Sequence, residues 1–356
     1  MGIWCSIFSN VMSAPKRNAT RADVARLAGV SASTVTYALT GERSISDETR
    51  QRIMDAMAEL DYTPNAMAQG LAGRRSGLVA LSFPVGERGF ESSDFEYVQS
   101  ATDVLARAGY QLLMWPNPIE DIESLRRIVS QGLIDGVILM EVRREDPRIE
   151  VLQSTRTPFV LIGRTDNESE FSWVDADFSQ WGPMAIDHLA AVGHREIAVI
   201  GLTEDMFTAG YGPVVRTERN LVTAAKSAGV HLDIERVRAN IRAGKEAMEI
   251  MLASKNPPTA LIGFNQPAVI GAIEAIVSHG LRIPEDFSLL QLGISAEAAE
   301  TTFPAQTSIG VDSALLAATA ARFLSEQLTG TDTTPRHFLG DAVFTDRGST
   351  GPVPTA

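Results

Sequence analysis

From Gly77 onward the chain repeats one pattern: a short, uninterrupted apolar run followed by an amphipathic stretch of helical period. This alternation constrains the fold more than any other feature. Apolar runs of four or so residues without polar alternation suit strands buried on both faces, as in a parallel sheet covered by helices. The runs at 78–81, 111–114, 136–139 and 159–162 make one such set, and those at 197–200, 260–263 and 288–290 a second. The pattern predicts an α/β fold whose core is two doubly wound lobes. Ligands bind beyond the carboxyl ends of strands in such sheets, so the cleft between the lobes is the natural site for a small molecule.

Residues 19–63 follow a different rule and predict a small all-α unit of three short helices. Thr20 precedes Asp23 at capping-box spacing, and Val24, Leu27 and Ala28 form one apolar face before Gly29 breaks the run. Ser31 caps a second helix, with Val35, Ala38 and Leu39 inward and Ala32, Ser33, Thr36 and Tyr37 outward. Gly41 ends it. Ser46 caps a third, in which Ile53, Met57 and Leu60 recur at helical spacing. Residues 64–76 then form a boundary. Gly70 costs a helix about 1 kcal/mol relative to alanine, and so short a segment holds helical structure only when docked.

Charge is distributed unevenly. The net charge of −13 argues at first against a nucleic-acid partner. Residues 12–76, however, hold nine Lys/Arg against seven Asp/Glu, a net of +2, which leaves −15 for the rest. The acidity belongs to the core, and the helical unit remains compatible with DNA phosphates.

At this point the residues carry a resemblance. The segment 22–39, ADVARLAGVSASTVTYAL, closely resembles the helix-turn-helix headpiece of the LacI family of bacterial repressors, and 64–71 resembles that family's hinge helix. The likeness continues through Asp187-His188-Leu189, Gly193-His194-Arg195-Glu196-Ile197, Pro258-Thr259-Ala260, the run 280–288 and Arg347-Gly348-Ser349-Thr350. It implies a core resembling a periplasmic binding protein. One subdomain covers 77–175, with 309–339 returning to it; the other covers 176–308, with 340–352 returning. It further implies a homodimer or tetramer that binds a pseudo-palindromic operator and is controlled by a small-molecule effector. In the family pattern Thr20, Arg21, Ser31, Thr34, Thr36, Thr40, Ser46, Thr49, Arg50 and Asn65 face phosphates, Ala32, Ser33 and Tyr37 face the major groove, and Ala68 and Leu71 enter the minor groove. The effector contacts carried over are Ser82, Phe83, Asp94, Phe95, Gly163, Arg164, Phe171, Trp173, Asp175, Arg216, Asn265 and Gln266.

Three departures stand out. Tyr37 replaces a common arginine, Gln266 an aspartate that binds sugar hydroxyls, and Thr217 a second arginine anchor. A neutral amide cannot grip a diol as a carboxylate does. The departures predict an effector other than a plain hexose in a charged clamp; Arg164 reads first as a structural salt-bridge partner where the chain crosses between lobes, and Arg164 or Arg216 turning into the cleft to favour an anionic ligand is one alternative.

Enzyme and export classes find little support. Gly210-Tyr211-Gly212 lacks the third glycine of a dinucleotide fingerprint, neither a phosphate-cradling loop nor a Gly-x-Ser-x-Gly elbow is present, and His188, His194, His231, His279 and His337 are scattered. No cofactor and no metal is expected. Cys5 is the single cysteine, and the apolar stretch 1–11 lacks the basic leader and cleavage site of a secretory signal. Residues 1–18 read as a disordered extension of a soluble, cytoplasmic protein. A rival reading keeps the core as a solute-binding or sensing protein without a role on DNA.

Overall fold

The switch in pattern near Gly77 coincides with a switch in architecture. In the computed structural model, residues 19–40, 43–62, 75–84 and 92–353 are described. The chain divides into two compact units between Arg74 and Arg75. The first contains α1 (Arg21–Leu27), α2 (Ala32–Thr40) and α3 (Asp47–Glu59). Thr20 and Asp23 form the capping box of α1, and the Ser46 hydroxyl accepts from the Thr49 amide at the start of α3. Val24, Val35 and Ile53 are fully buried where the three helices meet. This core is small because the unit offers each helix only one face to bury.

The second unit contains two six-stranded sheets. The first lobe holds β1 (Leu78–Ser82), α4 (Ser92–Arg107), β2 (Gln111–Trp115), α5 (Ile122–Ser130), β3 (Gly136–Leu139), α6 (Pro147–Ser154), β4 (Phe159–Ile162) and β5 (Trp173–Ala176). The second holds α7 (Phe178–Ala191), β6 (Glu196–Gly201), α8 (Glu204–Thr208), α9 (Gly212–Ala228), β7 (His231–Arg236), α10 (Ile241–Leu252), β8 (Ala260–Gly263), α11 (Gln266–Ser278), β9 (Ser288–Leu292), α12 (Ala296–Thr301) and β10 (Thr307–Gly310). The chain then returns to the first lobe as α13 (Ser313–Thr329) and β11 (His337–Gly340), and to the second as β12 (Val343–Thr345). Strand orders are β11-β5-β4-β3-β1-β2 and β12-β10-β9-β8-β6-β7, parallel except for β12 against β10.

Every strand that the apolar runs predict is present, and central strands such as β3 and β8 are buried along their whole length. Each sheet has an apolar cluster on both faces, which is why its central strands read as unbroken apolar runs. The chain enters the core at a fixed point: Asp135 accepts from the Ser76 and Gly77 amides at 2.7 and 2.8 Å. Among the described residues, no helix is long and apolar enough to cross a membrane.

Candidate functional site

Parallel strands that end at one edge leave the following residues of each lobe facing a common space. That space is a cavity of about 150 Å³, lined by residues at or just after the carboxyl ends of β3, β4, β5, β6, β8 and β9. Four of the predicted effector residues line it: Asp94 on α4, Gly163 after β4, Asp175 on β5 and Gln266 in the first turn of α11. Asp175 is the electrostatic centre of the wall. It is 4% exposed, and its Oδ2 lies 3.2 Å from Nε of Arg164 and 3.6 Å from Nη1 of Arg216. Burial pushes its carboxyl up to about 7, against the opposing pull of Arg216 and Arg164. Burial likewise lowers the pKa of Arg216, with Asp175 opposing.

The other predicted effector residues lie elsewhere, for identifiable reasons. Arg164 and Arg216 stand behind Asp175 and do not line the cavity; Arg216 donates through Nη2 to the Arg164 carbonyl at 3.0 Å. The arginines therefore neutralise a carboxylate of the protein itself, which agrees with the salt-bridge reading of Arg164 and not with the alternative in which either arginine turns toward an anionic ligand. The Ser82 hydroxyl is held by Arg148, which is buried in a bidentate pair with Asp146. Phe83 is fully packed in the first-lobe core, and Phe95 is 64% exposed on α4. Trp173 is the first residue of a strand that runs toward the cleft, so it sits at the far end from the cavity. There it stacks on His337 at 4.8 Å, and its Nε1 donates to the Glu168 carbonyl. Phe171 precedes the same strand and packs on Phe159. Asn265 is used by the backbone: its Oδ1 accepts from the Ala268 amide at the start of α11, and its Nδ2 donates to the carbonyls of Gly201 and Val237.

Residues that the sequence did not single out supply the rest of the wall. Phe178, Trp181 and Phe264 form an aromatic floor in the second lobe, with ring centroids 4.8 and 6.0 Å apart. Tyr97, Tyr211, Glu141 and Gln291 also line the cavity. None of these aromatics belongs to a motif in the sequence, and only the chain's path brings them to the cleft. The lining thus carries three carboxylates, and among the described residues no Lys or Arg reaches it.

The helical unit presents a second candidate surface. Ser31, Ala32 and Ser33 are exposed at the start of α2, and the Ser31 hydroxyl lies 2.8 Å from those of Ser33 and Thr34. Thr36 accepts from Arg21 at 3.0 Å and donates to the Ala32 carbonyl. Tyr37 is half-buried, with the Arg43 guanidinium 5.4 Å from its ring centroid. Arg50 is engaged within the unit, donating to the Ala38 carbonyl at 2.8 Å near the end of α2. Asn65, Ala68 and Leu71, together with the side chain of Thr40, lie outside the described residues.

Residues 20–65 match the family described as bacterial regulatory proteins, lacI family, and residues 186–350 match the periplasmic binding protein-like domain. The HTH-type transcriptional regulator AglR of Rhizobium meliloti is 31% identical over 75% of each chain. This chain belongs to the lacI family of bacterial regulatory proteins. It is a DNA-binding transcriptional regulator with an effector-binding core. Its similarity to the regulator CelR of Thermobifida fusca is 30% identity over 90% of this chain and 95% of that one. A solved CelR–cellobiose complex superposes with a TM-score of 0.68 over 93% of this chain and 99% of the other, at 28% identity. The Lac repressor dimer bound to operator and the anti-inducer ONPF shares the fold, with a TM-score of 0.78 at 23% identity over 94% of this chain and all of the other.

Proposed function

We propose that this regulator is a cytoplasmic repressor without enzymatic activity that binds a pseudo-palindromic operator as a homodimer and changes its operator affinity when a small molecule occupies the cavity between its lobes. The observation that carries the reading is the joining, in one chain, of a helical unit whose α2 opens with exposed, small and hydroxyl-bearing residues to a core with a lined interlobe cavity. Small side chains on a recognition helix permit close approach to the major groove, and hydroxyls at helix starts suit phosphates. No Lys or Arg is among the described lining residues, and Arg164 and Arg216 behind the wall are engaged by Asp175, which favours an uncharged effector over an anionic one. The cellobiose complex of CelR supports a sugar-like ligand. The rival solute-binding reading leaves the helical unit without a task.

Selection from randomised duplexes tests the first half. A palindromic consensus bound at nanomolar affinity, weakening steeply with salt, is expected from several phosphate contacts; binding indifferent to sequence would reject it. Release of that duplex by a neutral saccharide, and not by its uronic acid, tests the second.

A further inference from the structure

Most of the described arginines of the helical unit are engaged within it. Arg21 donates to the Thr36 hydroxyl, Arg26 pairs with Asp23, and Arg50 donates to the Ala38 carbonyl. Arg43 differs. It lies between α2 and α3, is exposed, and holds its guanidinium carbon 5.4 Å from the centroid of the Tyr37 ring. Among the described residues no acidic side chain pairs with it. Tyr37 follows Ser33 by one helical turn on the outward face of α2, so Arg43 reaches back over the face that carries the small and hydroxyl-bearing residues. Tyr37 stands where the family pattern commonly has an arginine, and the guanidinium missing from the helix is thus supplied beside it. Attraction to an aromatic ring uses the flat side of a guanidinium and leaves its N–H edge for hydrogen bonds in the plane. Guanine O6 and N7 accept from that edge through two parallel bonds, a fork that an ammonium does not offer. The ring also restrains the long side chain before DNA arrives, so less freedom is lost on binding.

We infer that Arg43 is a specificity-determining residue that reads a guanine in the major groove of each half-site, and that Tyr37 is the platform that holds its guanidinium. The base-reading arginine then comes from beyond α2 and not from the helix itself. This rests on the operator binding proposed above. A phosphate contact, the other use of an exposed arginine, adds affinity to every sequence alike and needs no platform.

The test repeats selection from randomised duplexes with the full-length chain carrying Arg43→Ala, Arg43→Lys, Tyr37→Leu or Tyr37→Phe. Fluorescence anisotropy then compares the parent's consensus, its single-base variants and a scrambled duplex. The parent is expected to prefer guanine at one position of each half-site. Arg43→Ala is expected to reduce that preference by about five- to hundredfold, with a smaller effect on the scrambled duplex. Arg43→Lys is expected to recover affinity for the scrambled duplex and not the preference. Tyr37→Leu is expected to relax the same position by a smaller factor, and Tyr37→Phe, which keeps the ring, to recover it. Arg43 is exposed, so its variants report on recognition even where Tyr37→Leu melts lower than the parent. Equal weakening on all duplexes would make Arg43 a phosphate contact and overturn the inference, as would a guanine preference that Arg43→Ala or Arg43→Lys retains. Losses at different positions for the two residues would overturn the pairing of Arg43 with Tyr37. A parent that selects no consensus would overturn the inference together with operator binding itself.

Discussion

His194 joins three segments of the second lobe at a point closed to solvent. Its Nδ1 lies 2.7 Å from the Thr259 hydroxyl, and its Nε2 lies 2.8 Å from that of Ser288 and 3.1 Å from the Gly351 carbonyl. The carbonyl only accepts, so Nε2 carries the proton and the neutral ring satisfies all three partners. Burial lowers the pKa of His194, with the Gly351 carbonyl opposing. The unfolded chain then binds the proton more readily, and stability contributed by the ring is present above the unfolded pKa of about 6.5 and lost as pH falls through the folded value. His194→Ala is expected to cost at least about 2 kcal/mol near pH 8, and the gap to the parent to narrow below pH 6.5. Melting both proteins across pH 5 to 8 and taking the difference cancels the opposing contribution of Asp175, whose raised pKa favours folding as pH falls. A gap independent of pH would show that the fold leaves the protonation of His194 unchanged, and a gap that widens below pH 6.5 would show that the fold holds the ring charged. At the other candidate site, Tyr37→Arg is expected to alter base preference at one half-site position by about 1 to 3 kcal/mol, the worth of a bidentate arginine contact. Unchanged selection profiles would place Tyr37 away from the bases.

Pairs of helices in the second lobe are packed at backbone distance, and glycines set that spacing. A Cβ on Gly244 of α10 would lie 1.8 Å from the Ala268 carbonyl oxygen of α11, and one on Gly271 of α11 would lie 1.8 Å from that of Ile241. Gly→Ala inside a helix normally stabilises by about 1 kcal/mol. Here the sign reverses, because two backbones must separate, and Gly271→Ala is expected to cost at least about 3 kcal/mol in urea unfolding. A variant as stable as the parent would disprove the close crossing. Such contacts leave no local signal, which marks the limit of what was legible in the sequence. The strands written in Val, Ile and Leu were readable. β5 carries Asp175, β7 lies at a sheet edge with the residues His-Leu-Asp-Ile-Glu-Arg, and β10 is Thr-Ser-Ile-Gly, so none of the three announces itself as an apolar run. The candidate site divides the same way. Asp94, Gly163, Asp175 and Gln266 follow from the family pattern, whereas Trp181 and Gln291 belong to no motif and reach the cavity only because distant segments of the chain come together there.

Across the whole core, the two lobes are tied by three chain crossings and by a set of bonds between the loop after β3 and the start of α9. The Arg144 amide donates to the Gly210 carbonyl at 2.8 Å, and the Gly212 amide to the Val142 carbonyl at 3.2 Å. Arg216 adds the side-chain link, reaching from α9 to the Arg164 carbonyl and to Asp175 in the other lobe. Backbone bonds of this kind persist through most substitutions, so Arg216 is the point at which the tie between lobes is adjustable. If effector occupancy is communicated to the DNA-binding unit through the relative position of the lobes, weakening this link changes the coupling and leaves each binding surface in place. Arg216→Met keeps the length of the side chain, removes its polar contacts with Arg164, Thr165 and Asp175 in the other lobe and leaves Arg164 to balance Asp175. The selected duplex is then expected to bind the effector-free variant with altered affinity, and the ratio of affinities with and without saturating effector to shrink by about tenfold, within the range of measured coupling energies. Fluorescence anisotropy of a labelled duplex, titrated at both extremes of effector concentration, measures that ratio. A ratio equal to the parent's would show that the Arg216 link carries none of the coupling.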